Sequence, residues 1–153
     1  MQKIESRNDF GQLLNDLNLN GYGAELGVAG GGFSNHLLAK SNLKILFSID
    51  RWSDRGHLDL QYLRAANKLS LHEHRSIVLR MVFDEAVGLF ADELFDFIYI
   101  DGYAHTGQEE GKTLYDWWPK LKQGGVFAGH DYHSDWPKTI EAVNKFTDEF
   151  NLK

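Results

Sequence analysis

The chain has 153 residues, no cysteine and a formal net charge of −6, with 16 Lys and Arg against 22 Asp and Glu. That length suits a single domain spanning residues 1–153. The missing cysteines exclude disulfides, Cys-ligated zinc and a thiol nucleophile, and the basic residues are too scattered for a nucleic-acid groove. No window approaches about 18 consecutive apolar residues and no apolar leader opens the chain, so the expectation is a cytoplasmic protein that does not engage a membrane.

Helical and strand patterns alternate along the sequence. Residues 7–18 predict a helix with Phe10, Leu13, Leu14 and Leu17 on one face. Residues 22–28 predict a first strand that runs into glycines, and 33–40 the helix after it. The apolar run 44–50 predicts a buried parallel strand. Helix is expected over 58–71 and 85–91, with a third strand at 76–81 between them and the polar residues His72, His74 and Arg75 in the connection. A fourth strand follows at 95–101 and a helix at 108–122, where Leu114, Trp117, Trp118 and Leu121 recur at three and four; one tryptophan should be core and the other partly exposed. A Gly-Gly turn then leads into a fifth strand at 125–131. Pro137 opens a last helix over 139–150, at a position where a first turn tolerates it. This order predicts an α/β fold with a doubly wound, mostly parallel sheet and helices on both faces.

In such a sheet ligands bind beyond the carboxyl ends of the strands, and several polar residues fall at those ends. After the first strand come Glu25 and the run Gly27–Gly32. Glycines let the backbone approach a ligand, and the next helix turns free N–H groups toward it. Ser34 is read as the cap of that helix. Asp50, 23 residues beyond Gly27, stands where an acid meets ribose hydroxyls in a dinucleotide fold. Gly27, Ala29 and Gly32 match G-x-G-x-x-G only with alanine in the middle, so a nicotinamide cofactor and S-adenosylmethionine both stay open. Glu25 favours the second, because an acid there would repel a pyrophosphate and suit a cationic group.

Asp101 and Asp131 end the fourth and fifth strands, with His105 and His130 nearby. Two carboxylates with oxygen ligands suit Mg²⁺ or another divalent cation, with Asp135 as a conceivable third ligand. His105 and His130 are candidate general bases, and His133 is a third. Trp52 is placed against the adenine or the acceptor, and Tyr132 and Trp136 along an acceptor pocket.

The stretch AELGVAGGGFSNHLL resembles the first motif of class I S-adenosylmethionine-dependent methyltransferases, an acid followed by Gly-x-x-x-Gly, here Glu25, Gly27 and Gly31. FIYIDGYAH…LYDWWPKLKQGGVFAGHDY resembles the small-molecule O-methyltransferase branch that includes macrolide and aminocoumarin sugar methyltransferases. The resemblance implies an enzyme that methylates a small hydroxylated metabolite or sugar, its small-molecule acceptor. It implies that Glu25, Gly27, Gly31 and Ser34 line the methionine and ribose part of the cofactor, that Asp50 binds the ribose hydroxyls, that Met81 and Glu85 lie near the adenine, and that Asp101 borders the cofactor and shares a divalent cation with Asp131. His105 stands four residues after Asp101, where relatives carry a histidine three residues on. Relatives also continue into a final antiparallel strand pair that this sequence lacks, so an exposed sheet edge and homo-oligomers through it are expected. Two other functions remain: a nicotinamide-dependent oxidoreductase, and a truncated relative that binds cofactor without catalysis.

Overall fold

The computed structural model describes residues 4–53, 58–102 and 107–152. Its strands are β1 (Tyr22–Leu26), β2 (Ile45–Asp50), β3 (Ser76–Arg80), β4 (Phe95–Ile100) and β5 (Leu121–Gly129). They form one sheet in the order β3-β2-β1-β4-β5, every pair parallel. The α-helices are α1 (Phe10–Asp16), α2 (Gly32–Lys40), α3 (Asp59–Leu69), α4 (Phe83–Ala86), α5 (Lys112–Trp117) and α6 (Pro137–Glu149). The expected α/β fold with a parallel sheet is present, and no antiparallel strand pair occurs among the described residues.

The chain order reverses between β1 and β4, so the helices that follow these strands, α2 and α5, pack on opposite faces of the sheet, and ligands of such folds bind beyond this point. β1 and β4 are buried on both faces, which is why they show no alternation of apolar and polar residues; the acids they carry, Glu25 and Asp96, are themselves buried. Their side chains feed two cores. Phe97 and Tyr99 of β4 pack with Leu37 and Leu38 of α2 and with Ala65 and Leu69 of α3 on one side. Ala24, Leu26, Ile98 and Ile100 pack with Ala86 and Trp117 on the other. Each fully buried side chain of this size contributes about 1.5–3 kcal/mol, so the strand ends sit on a rigid platform. Trp117 is the core tryptophan and Trp118 is partly exposed, as the helical spacing implied.

Two elements differ from their sequence patterns. The expected helix over 108–122 is broken. Glu109 and Glu110 take left-handed φ values of 49° and 55°, and the regular α-helix is confined to Lys112–Trp117. A 3₁₀ turn through Pro119 then ends it. The acidic pair Glu109 and Glu110 therefore precedes the regular helix and is not part of it. The Gly-Gly turn is likewise not a turn before β5 but a bulge inside it. Phe95 pairs with Leu121 and Phe97 with Val126, so residues 122–125 loop out of the ladder. The strand continues on either side because Gly125 lets the bulge lie flat: a Cβ there would be 2.9 Å from the Asp96 carbonyl oxygen. No helix among the described residues is long and apolar enough to cross a membrane.

Candidate active site

β1 ends at Leu26, and the chain turns at Gly27, whose φ is 95°. A Cβ at Gly27 would stand 1.9 Å from the carbonyl oxygen of Asp101. The Asp101 N–H donates to the Leu26 carbonyl at 2.7 Å. The ends of β1 and β4 thus meet backbone to backbone, and only glycine fits between them. Gly31, at φ 73°, precedes α2 and packs its backbone against Ala65. Gly30 and Gly32 have nothing within 4 Å of where a Cβ would lie, so this stretch of backbone faces open space.

Asp50 holds that turn from below. One carboxylate oxygen accepts the N–H groups of Val28 and Ala29 at 2.9 and 3.0 Å, and the other accepts Trp52 N–H at 3.0 Å. Asp50 is buried, so in this structure its carboxylate organises the glycine turn. Its backbone carbonyl accepts the Met81 N–H at 3.0 Å, which brings Met81 beside it at the end of β3. Glu85 lies in α4. Trp52 does not line a pocket as expected: it is fully buried, its indole donates to the Ala29 carbonyl at 2.8 Å, and its ring packs on Tyr62. Its job is to close the glycine turn against α3.

Glu25 points the other way, under α2. It is 2% exposed, and the Ser34 hydroxyl donates to it. Ser48, paired with Glu25 across β1 and β2, donates to Ser34 at 2.9 Å. Ser34 therefore does not cap α2. It lies inside the helix, with Gly31 at the cap position and no side-chain cap bond, because its hydroxyl is committed to Glu25. Burial pushes the Glu25 carboxyl up to about 8. The Ser34 hydrogen bond and the Arg7 charge work against that rise, and the charges of Asp101 and Asp50 add to it. A buried acid that holds its proton at neutral pH, under an open glycine turn, is primed for a cationic ligand.

The second cluster lies at the ends of β4 and β5. His130 follows β5, and its N–H donates to the Ile100 carbonyl at 2.9 Å. Its Nδ1 is 2.6 Å from an Asp131 carboxylate oxygen and 3.6 Å from one of Asp101. Asp131 adopts φ 58°, which turns the chain sharply after the strand. Asp101, His130 and Asp131 each offer a ligand atom, and these atoms lie within 4.8 Å of one another. The expected pair of acids is thus joined by a histidine, not by Asp135, which is exposed and pairs with His133 at 3.4 Å. Tyr132 and Trp136 are largely exposed; the Tyr132 hydroxyl donates to Asn144 at 2.7 Å. His105 lies outside the described residues.

Sequence reasoning assigned no role to Arg7. Its guanidinium donates to the second Asp101 oxygen at 2.9 Å and lies 5.4 Å over the Phe33 ring. No local pattern could have found this, because 94 residues separate the two charges and only the fold joins them.

A family model described as a methyltransferase domain matches residues 24–132. The chain belongs to that methyltransferase-domain family. It is accordingly an S-adenosylmethionine-dependent methyltransferase, and the nicotinamide alternative falls away. No curated protein matches the chain. Among solved structures, it resembles a proposed caffeoyl-CoA O-methyltransferase from Staphylococcus aureus, with 17% identity and a TM-score of 0.71 over 95% of this chain and 74% of that one. A proposed O-methyltransferase from Klebsiella pneumoniae gives 14% identity and a TM-score of 0.67 over 99% and 70%. A precorrin-6y C5,15-methyltransferase from Geobacter metallireducens gives 18% and 0.64 over 95% and 72%. Identities this low establish the shared fold, and the names span oxygen and carbon acceptors.

Proposed function

We propose that this methyltransferase acts on a hydroxyl oxygen of a small metabolite or sugar, at a site running from the glycine turn to the Asp101–His130–Asp131 cluster. The observation that carries the reading is that cluster: two carboxylates and an imidazole gathered at the strand ends beside the turn. A neutral amine can attack through its lone pair, whereas a hydroxyl must lose its proton as it attacks.

The turn fits S-adenosylmethionine. Gly30 and Gly32 leave open space along the backbone, Asp101 offers a carboxylate beside it, and Glu25 lies buried beneath it. When bound, that cofactor supplies a methyl group on a positively charged sulfur. Gly27 and Gly31 line the methionine arm, Ser34 keeps Glu25 oriented below it, and Asp50 and Met81 border the ribose and adenine. His130 takes the hydroxyl proton. With Nδ1 donating to Asp131, a neutral ring keeps its lone pair on Nε2, as a general base requires. Asp101 and Asp131 also suit a divalent cation such as Mg²⁺, which lowers the pKa of a bound hydroxyl. His105 is a further candidate base. The chain works as one domain.

The test is methyl transfer to a panel of catechols, sugars and phenols, with Mg²⁺ and after chelation. Turnover with a hydroxylated acceptor supports the reading. Transfer confined to carbon or nitrogen acceptors would end it, and unchanged turnover after chelation would remove the cation alone.

A further inference from the structure

Arg7 lies before β1, outside residues 24–132 that match the family model, yet its side chain reaches the centre of the site. The segment that carries it is fixed in three ways. The Ser6 hydroxyl accepts from Asn8 N–H while the Asp9 carboxylate accepts from Ser6 N–H, closing a capping box. His36 of α2 contacts the Asn8 carbonyl at 3.0 Å. Phe10 packs on Phe97 and Tyr99 with ring centroids 5.4 and 5.7 Å away. Arg7 is therefore held over the site by a built element.

The guanidinium spans two parts of the crevice. One N–H group is committed to Asp101, at the end of β4, and the guanidinium also hydrogen-bonds Tyr99. The plane lies over Phe33, in the first turn of α2 after the glycine run. Its charge is felt at Glu25 and at Tyr99. Arginine carries five N–H donors, and the side chain is 44% exposed, so donors remain for a ligand. The surroundings are otherwise acidic: Glu25, Asp50 and Asp101. A cation fixed beside an acid, facing open backbone, matches the two charges of an amino acid in reverse.

We propose that Arg7 binds the carboxylate of the cofactor's amino-acid arm, with Asp101 facing its ammonium and the buried Glu25 acting on that charge from beneath the turn. The assignment rests on S-adenosylmethionine binding at the glycine turn. An anionic acceptor is the other chemistry a guanidinium could recognise. The position over Phe33, against α2, favours the cofactor.

Two ligands separate the possibilities. S-adenosylhomocysteine has the amino-acid arm, and 5′-methylthioadenosine has the adenosine and sulfur without it. Calorimetric titration of wild type, Arg7→Gln and Arg7→Lys with both compounds reads the arm alone. Arg7→Gln should weaken S-adenosylhomocysteine roughly tenfold to a hundredfold, the range of a hydrogen bond to a charged group, and leave 5′-methylthioadenosine unchanged. Arg7→Lys should fall between, since it keeps charge but loses the planar fork. Equal weakening of both ligands would make Arg7 a structural residue and overturn the proposal. So would no weakening of either. Wild type binding neither ligand would overturn the cofactor reading itself, and this proposal with it.

Discussion

The two halves of the crevice are built from different materials. On the β1–β2 side the ligand-facing surface is backbone, and the polar side chains sit beneath it: Glu25, Ser34, Ser48 and Asp50 are all buried, and each has a hydrogen-bond partner. On the β4–β5 side the chemistry is carried by the side chains of Asp101, His130 and Asp131, with His130 about half exposed. The difference teaches what each half is for. A surface of backbone amides over buried acids binds one constant ligand. A cluster of titratable side chains at a rim does proton chemistry on a variable one. Substitutions should therefore separate binding from turnover according to the side they fall on.

The sharpest separation should come from His130→Ala. Loss of a general base costs roughly a hundredfold to ten-thousandfold in rate, while the β1–β2 side is untouched. The expected outcome is a collapse of kcat with the S-adenosylhomocysteine affinity retained, read by turnover and calorimetry on one preparation. If affinity fell as far as turnover, the division between halves would be wrong.

Gly27→Ala should break the opposite half. The added carbon meets the Asp101 carbonyl oxygen at 1.9 Å, in a backbone conformation that alanine disfavours. Strain of this kind with a backbone clash costs about 3 kcal/mol or more. Thermal unfolding should show a large loss of stability, and cofactor binding should disappear with it. A stable Gly27→Ala that still binds S-adenosylhomocysteine would show that β1 and β4 can part without harm.

The strands and their parallel arrangement were legible because buried parallel strands leave largely apolar runs, as in β2 and β4. Glu25 and the turn at Gly27 stood out because glycines after a strand have few other uses. What was hidden depends on distance or on competing partners. Arg7 meets Asp101 only through the fold. Ser34 looked like a cap because a hydroxyl beside a helix start usually is one, but the buried Glu25 holds it more strongly. The left-handed residues Glu109 and Glu110 and the bulge at 122–125 follow from packing against α6 and β4, which local propensity does not encode.

Glu25 gives the comparison a thermodynamic form. Its carboxyl titrates near 8 when folded, against an ordinary value of 4.5. Between those values the folded chain keeps a proton that the unfolded chain has released, so raising the pH favours unfolding across that window. The contribution of Glu25 is fully present below about pH 4.5 and is lost as pH rises through 8. Glu25→Gln removes the titration while keeping the shape and a partner for Ser34. Wild type and variant should match in stability near pH 5. The variant should then gain on wild type as pH rises, by at most about 1.4 kcal/mol per unit, reaching a few kcal/mol by pH 8. Its affinity for S-adenosylhomocysteine should move the other way, because a neutral amide cannot become the anion that an ammonium group stabilises. Denaturant melts from pH 5 to 8, paired with calorimetry, check both arms. Parallel stability curves would show that Glu25 is already ionised in the free protein. The site would then lack the stored cost that ligand binding is expected to release.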